Sequence, residues 1–346
     1  MSETVDEGCA QAKVRPGQWP VVELTQADWP DIRALFQAVF GSEMPEDFQR
    51  WKFGDHRGAN MGMRDAASAL VAHYGGIYRP FLAQGQRCTA IQMVDVMVLP
   101  TARDVFARFG PFGRVARTFI DQQICDAKGV ALGFGFPNVR AMRLGLRLGL
   151  YHPFEPMLGL QWPLPGDGVR QLPEGSSLSA LDWGQAAQLV QLDRLAQSHM
   201  AACADLMIPV RDTNWWRHRY ANHPVHVHQT WWLTLPGKAY PSAAFVVRVF
   251  GPGQHMELMD WVVEPGLEAQ VALLPAVLAL AARHGAPLLD LWATQAAVQG
   301  WSPDVLGAAR RSEACVVAID SERVLSRPIG DWLGKVWMTG GDTDFR

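Results

Sequence analysis

At 346 residues, with 49% hydrophobic and 19% charged side chains, the chain is long for one core and too apolar for a disordered protein. Two modules of about 150 residues each are the starting expectation. A formal net charge of -3 gives no global attraction to nucleic acid or to an anionic membrane. The five cysteines are odd in number, far apart and without a Cys-x-x-Cys pair, so neither a disulfide framework nor a zinc knuckle is indicated and a reducing cytoplasm is expected.

Residues 1–18 are polar with three acids and no apolar centre, which reads as a flexible tail and not a signal peptide. Val21 to Leu24 predicts a short strand. Asp28 and Pro30 then suit a helix start, and Ile32, Leu35, Phe36 and Val39 share one helical face up to Gly41. A short helix is expected from Glu46 to Phe53. Strand-like runs follow at Ala69 to Tyr74 and Arg87 to Leu99, with Gly75-Gly76 and Gln84-Gly85-Gln86 read as turns. Val115, Phe119, Ile120 and Ile124 mark a helix to Lys128, then a strand from Val130 to Phe136, a break at Pro137-Asn138, and a helix through Leu148. The longest apolar run, Val271 to Ala282, contains Pro275 and is too short to span a bilayer, so no membrane insertion is expected.

A Pro/Gly/Ser-rich stretch over 163–177 reads as a linker, after which the pattern restarts. Leu24-x-x-x-Asp28-Trp29 is echoed by Leu178-x-x-x-Asp182-Trp183. At a constant offset of 165 residues, Trp51 is echoed by Trp216, and Asp95-x-x-Val98-x-Pro100 by Asp260-x-x-Val263-x-Pro265. Matches in the same order imply an internal duplication. The expected domains are an N-terminal module over 19–162, the linker over 163–177 and a C-terminal module over 178–346.

Several residue types here suit an anion and an amine. Arg103, Arg108, Arg114 and Arg117 crowd a glycine-containing loop that opens a helix, and Arg140, Arg143 and Arg147 line the helix after it. Backbone N-H groups at a helix start hold phosphates well, although such a patch is also compatible with a solvated basic face. Asp95 is a carboxylate in an apolar strand, a setting that raises a pKa toward usefulness as a base. Its double, Asp260, suggests equally a structural hydrogen-bond acceptor. His218, His223, His226 and His228 lack the cysteines or patterned carboxylates of a metal site and read as surface or interface histidines, so no metal is expected.

With Val98-x-Pro100 ending a central strand, the Arg/Gly loop, and Phe136-Pro137-Asn138-x-x-Ala141 leading to Leu148-Gly149-Leu150, the chain resembles the GNAT acyl-CoA-dependent N-acetyltransferases in a tandem two-module form. Trp337 to Asp344 also looks like the tail of tandem members. The resemblance implies a mixed α/β fold of two GNAT-like modules, each a twisted, mostly antiparallel sheet flanked by helices. It implies acetyl-CoA or another acyl-CoA bound between the fourth and fifth strands of the first module. Val96 and Val98 would polarise the thioester, Arg108, Gly110, Phe112, Gly113 and Arg114 would hold the pyrophosphate with Arg143 nearby, and Asn138 would meet the pantetheine arm. The family loop reads Arg or Gln, two residues, Gly, one residue, Gly or Ala. Here the middle glycine, Gly110, stands one place early.

Asp95 is the candidate base. Many members use a tyrosine in the last helix as the acid, and here Tyr151 lies just outside it. The implied function is acyl transfer to an amine of a small-molecule or sugar acceptor, with a homodimer left open and no nucleic-acid partner. The alternatives are an inactive GNAT-fold sensor, or an aminoacyl or peptidyl transferase drawing on transfer RNA. The second module, with Glu264 and Glu268 in place of arginines, reads as structural or acceptor-binding.

Overall fold

The structure, a computed structural model, describes residues 19–103, 110–164, 171–251, 254–307, 309–319 and 329–344. The expected tail over 1–18 and the middle of the expected linker, 165–170, lie outside them. In chain order the elements are β1 (Val21–Leu24), α1 (Trp29–Phe40), α2 (Glu46–Phe53), β2 (Gly58–Arg64), β3 (Leu70–Ala83), β4 (Gln86–Val98), α3 (Pro111–Gln123), β5 (Val130–Gly135), α4 (Val139–Arg147) and β6 (His152–Pro163). Then come β7 (Ser177–Ala180), α5 (Ala186–Ala202), β8 (Met207–Pro209), α6 (Thr213–Trp216) running into a π-helical turn, β9 (His228–Thr234), β10 (Ala243–Val249), β11 (Met256–Val263), α7 (Leu267–Arg283), β12 (Leu288–Thr294), α8 (Pro303–Gly307) and β13 (Arg310–Ile319).

Alternation along the strands explains the layers. In β3, Leu70 faces a core with Ile32 and Leu35 of α1, while its neighbour Val71 faces a core with Val115 and Phe119 of α3. In β10, Ala244 and Val246 face Leu192 and Leu195 of α5, while Phe245 and Val247 face Leu273, Leu274 and Val277 of α7. Each module is therefore a sheet with a helix on either face, built to one plan. Pairing is antiparallel except for β4 with β5 and β11 with β12. The modules share one continuous sheet, in the order β1-β2-β3-β4-β5-β13-β6-β12-β11-β10-β9-β7, because β13 inserts between β5 and β6 and β6 pairs onward with β12.

Several local expectations change. Gly75 and Gly76 are not a turn but the middle of β3. A Cβ on Gly76 would stand 2.5 Å from the Phe119 ring, and one on Gly75 2.9 Å from His73, so these glycines let neighbours pack onto a strand. The strand β2 escaped notice because its Gly-Ala-Asn-Met-Gly-Met run lacks β-branched residues. The helix expected from Val115 starts earlier, at Pro111, and ends at Gln123. Asp28 does not cap α1. Its carboxylate instead accepts from Thr25 N at 2.8 Å and Arg64 Nη2 at 2.6 Å, and Pro30 and the left-handed Gly41 (φ 75°) define the helix ends.

The C-terminal segment from Val336 to Asp344 runs back across both modules as a strap. It bridges Met207, Ala293 and Thr294, and turns through Gly340–Asp342. Asp342, fully buried, accepts from Arg79 Nη2 of β3 at 2.8 Å and from Arg211 Nη2, and Arg219 donates to the carbonyls of Gly341 and Thr343 at 2.9 Å each. Removing one partner of such a buried network strands the others without water. Asp342→Ala is expected to cost about 3–5 kcal/mol of unfolding free energy, read from urea denaturation, whereas Asp121→Ala on the exposed face of α3 should stay within about 0.5 kcal/mol.

Two buried histidines set an acid limit. Burial holds His73 down to about 4 and, with Arg211 nearby, His199 down to about 3. The unfolded chain takes up these protons near pH 6.5 and the folded chain resists until those lower values, so stability is complete above pH 6.5 and is lost as pH falls toward 4. Each histidine contributes about 1.4 kcal/mol per pH unit in that window. The urea midpoint should fall between pH 7 and pH 5, and His73→Gln should flatten the slope.

Candidate functional site

The site grows from an irregularity in β4. Its pairing with β3 shifts register so that Asp95 and Val96 together oppose Tyr74, a β-bulge, and Asp95 takes φ 50°, a conformation that non-glycine residues adopt at a cost. His73 Nδ1-H donates to the Asp95 carbonyl at 2.7 Å and holds the bulge, while its Nε2 meets the Asn60 side-chain amide at 3.0 Å. On the other side β4 pairs with β5 only as far as Met93 with Gly135. Beyond it the two strands part, and Phe136, Pro137 and Asn138 turn away into α4.

Two distant segments complete the bulge. Lys52, on the buried face of α2, donates its ammonium to Asp95 Oδ1 at 2.8 Å and to Asp344 Oδ2 of the strap at 2.9 Å. Burial works against the Lys52 charge, but the carboxylates of Asp344 and Asp95 more than restore it and hold its pKa above the ordinary lysine value. Burial pushes Asp95 upward. Lys52 offsets part of that rise, and the second carboxylate, Asp344, adds to it. Asp95 Oδ2 is buried without a hydrogen-bond partner among the described residues.

A cavity of about 590 Å³ opens here. Met93 to Val96, Gly135 to Asn138, Ala141 and Tyr151 line one side; Phe36, Phe40, Met44 and Phe48 of the α1–α2 region line another; Val225 and His226 of the second module close it, with Lys52 and Asp344 between. Burial together with Arg248 and Arg219 lowers His226 to about 4, so it is neutral at pH 7. The hydroxyl of Tyr151 meets that of Tyr74 at 2.7 Å, and burial raises Tyr151 to about 12 and pushes Tyr74 well above the ordinary tyrosine value. Tyr151 reaches the cavity only because Gly145 lies beneath it, where a Cβ would come within 2.0 Å of its ring.

Among the residues expected from the sequence, Asp95, Val96, Asn138 and Tyr151 therefore meet in one cavity. Asn138 also caps α4, accepting from Ala141 N at 2.9 Å. Val98 lies further along β4, where it pairs with Ala72. Gly110 precedes α3, Gly113 is buried in its first turn, and Phe112 packs at 6.5 Å and 6.3 Å from Tyr74 and Tyr151. Arg114 donates to the Trp19 carbonyl at 2.8 Å, Arg143 is exposed on α4, and Arg108 lies outside the described residues. Lys52 and Asp344 were not anticipated. A lysine flanked by Trp51 and Phe53 on the buried face of an amphipathic helix was the available signal for the first; nothing in the spacing pointed to the second.

The second module shows what became of the same plan. Asp260 is fully buried, and its carboxylate is fully engaged: by Arg211 Nε at 3.2 Å, Tyr220 OH at 2.7 Å, Thr339 Oγ1 at 3.2 Å and Trp261 N at 3.0 Å. The strands β11 and β12 also part, after Leu258 and Leu291, but the strap fills the gap. Thr339 bridges Ala293, Thr294 N donates to the Met338 carbonyl, and Gly341 lies so close that a Cβ would meet Met259 O at 3.1 Å. The equivalent crevice is occupied by the protein itself.

The model of an acetyltransferase (GNAT) domain matches residues 21–150. No protein of curated function matches the sequence. Among solved structures, a probable N-acyltransferase of Enterococcus faecalis V583 is similar at 12% identity, covering 86% of this chain and 72% of its own, with a TM-score of 0.67. A tandem GNAT protein from the clavulanic acid biosynthesis pathway is similar at 12% identity over 87% of this chain and 98% of its own, with a TM-score of 0.56. The N-myristoyltransferase of Saccharomyces cerevisiae with bound myristoyl-CoA is similar at 11% identity over 92% of this chain and 89% of its own, with a TM-score of 0.53. Residues 21–150 thus match a GNAT acetyltransferase domain, and the chain as a whole has the fold of a tandem of two GNAT-like modules.

Proposed function

We propose that the chain is an acyl-CoA-dependent acyltransferase that moves an acetyl or longer acyl group to an amine, with the chemistry in the module over 19–162 and a supporting role for that over 178–346. The observation that carries this reading is the unpartnered, buried Asp95 Oδ2 at the point where β4 and β5 part. It is a hydrogen-bond acceptor open to a donor that none of the described residues supplies. The thioester arm would enter between the strands past Asn138, with the β4 backbone from Val96 to Val98 polarising its carbonyl. The acceptor ammonium would donate to Asp95 Oδ2 and pass it a proton, and the free amine would attack the thioester carbon. As the new C-N bond forms and the C-S bond breaks, the thiolate would take a proton from Tyr151, which Tyr74 orients, and the second proton, shed by the nitrogen as the amide forms, would return to the Tyr151 phenolate. Lys52 would keep Asp95 ionised in the resting state, and its raised pKa makes it a better base than a solvated aspartate. The α3 start, with Gly110 and Gly113, remains the proposed seat of the pyrophosphate.

Calorimetry with acetyl-CoA and with CoA should show submillimolar binding, and a flat titration with both would end this reading. Asp95→Asn is expected to lower kcat by about 10²- to 10³-fold while the acyl-CoA dissociation constant holds within about twofold. Unchanged turnover would remove Asp95 from the chemistry. Tyr151→Phe should reduce kcat by about tenfold or more and flatten the alkaline limb of the pH profile, and Gly145→Ala should reproduce that loss by displacing the ring while also lowering stability by about 1–3 kcal/mol.

A further inference from the structure

We propose that the acceptor is an amphiphilic primary amine, one ammonium on an aryl or alkyl body, seated with the ammonium on Asp95 and the body against Phe36, Phe40, Met44 and Phe48; this rests on the acyltransferase reading. Three observations point to it. The first is charge. One lysine, Lys52, faces three carboxylates, Asp95, Asp344 and Glu43, in the cavity, and His226 is neutral there. Lys52 is already held by two of those acids, so the cavity retains negative charge for a cation and repels an anionic acceptor. The second is the vacant lone pair of Asp95, the buried end of the arrangement.

The third is the opposite wall. Phe36 and Phe40 lie with ring centroids 4.7 Å apart, and Phe40 is 52% exposed, although an aromatic side chain ordinarily buries its ring. Val225, reaching in from the second module, is 47% exposed on the same cavity. An apolar surface kept open beside a buried carboxylate fits a ligand with one polar end. Apart from Lys52, the polar side chains of the α1–α2 wall are Ser42 and Glu43 at its edge. The hydroxyls of a sugar amine would lose water against four apolar side chains, at about tenfold or more in affinity for each hydrogen bond left unmade.

The test uses the full chain and two amines of known chemistry, 2-phenylethylamine and glucosamine. Each is titrated calorimetrically into the protein alone and with saturating CoA, and each is offered with acetyl-CoA while thiol release is followed. Phenylethylamine is expected to bind at least tenfold more tightly and to support at least tenfold higher kcat/KM. Phe40→Ser, at an exposed position that leaves the core intact, should erase most of that preference without changing acetyl-CoA binding. Equal or tighter binding of glucosamine overturns the proposal. So does displacement of phenylethylamine by octanoyl-CoA but not by acetyl-CoA, which would assign the apolar wall to the acyl chain. Phenylethylamine binding without any acetyl-CoA binding would support the amine pocket while ending the transferase reading, and binding of neither amine overturns the pocket whatever acetyl-CoA does.

Discussion

Asp342 bridges Arg79 of the first module and Arg211 of the second, and none of the three side chains has appreciable access to water. Charges taken out of water repay that cost only when geometry and further hydrogen bonds are good. Here the Thr339 amide also donates to Asp342 Oδ2 at 2.9 Å, Arg79 lies over the Trp215 ring at 3.5 Å, and Arg219 holds the carbonyls on either side. The consequence is positional. An interaction that needs all its partners fixes the strap to both halves at once, and two residues later the chain delivers Asp344 to Lys52. The site in the first module thus depends on an anchor placed largely in the second.

The two modules show how one plan yields an open and a closed crevice. Both place an aspartate on the central strand at the same offset from Val and Pro, and in both the next parallel strand pulls away. In the second, arginine, tyrosine and threonine use up the aspartate and the strap fills the gap; in the first, one lysine satisfies one oxygen and the gap stays open. The acidic Glu264 and Glu268 after β11 would repel a phosphate there. Its aspartate serves packing and its tail serves the neighbour.

What was legible in the sequence follows from the range of each signal. The helix Glu46–Phe53, the break at Pro137-Asn138 and the repeated Asp-x-x-Val-x-Pro are local patterns, and each stands where the residues placed it. Gly75-Gly76 misled because local rules give paired glycines to turns, whereas here the demand for small residues comes from Phe119 and His73 packing across β3. The insertion of β13 between β5 and β6 is a pairing choice, which no stretch of sequence records alone. For the site, Asp95, Val96, Asn138 and Tyr151 were readable because a duplicated motif and a family resemblance marked their strand and helix. Lys52 and Asp344 were not, since their meaning lies in an ion pair across 292 residues of chain.

That ion pair also explains why the free oxygen of Asp95 persists. A buried carboxylate with no cation would protonate, and one with two donors on each oxygen would have nothing left to offer. Lys52 stands between these limits. Shared with Asp344, it gives Asp95 one hydrogen bond, which offsets part of the effect of burial and leaves Oδ2 unoccupied. If Asp344 were absent, Lys52 would turn its full charge on Asp95, stabilise the carboxylate further and make it a poorer acceptor of a proton. The strap therefore tunes Asp95 as well as completing the wall: by competing for the lysine, the second carboxylate raises the proton affinity of the first, and a residue near the C-terminal end of the chain acts on a bulge in the fourth strand.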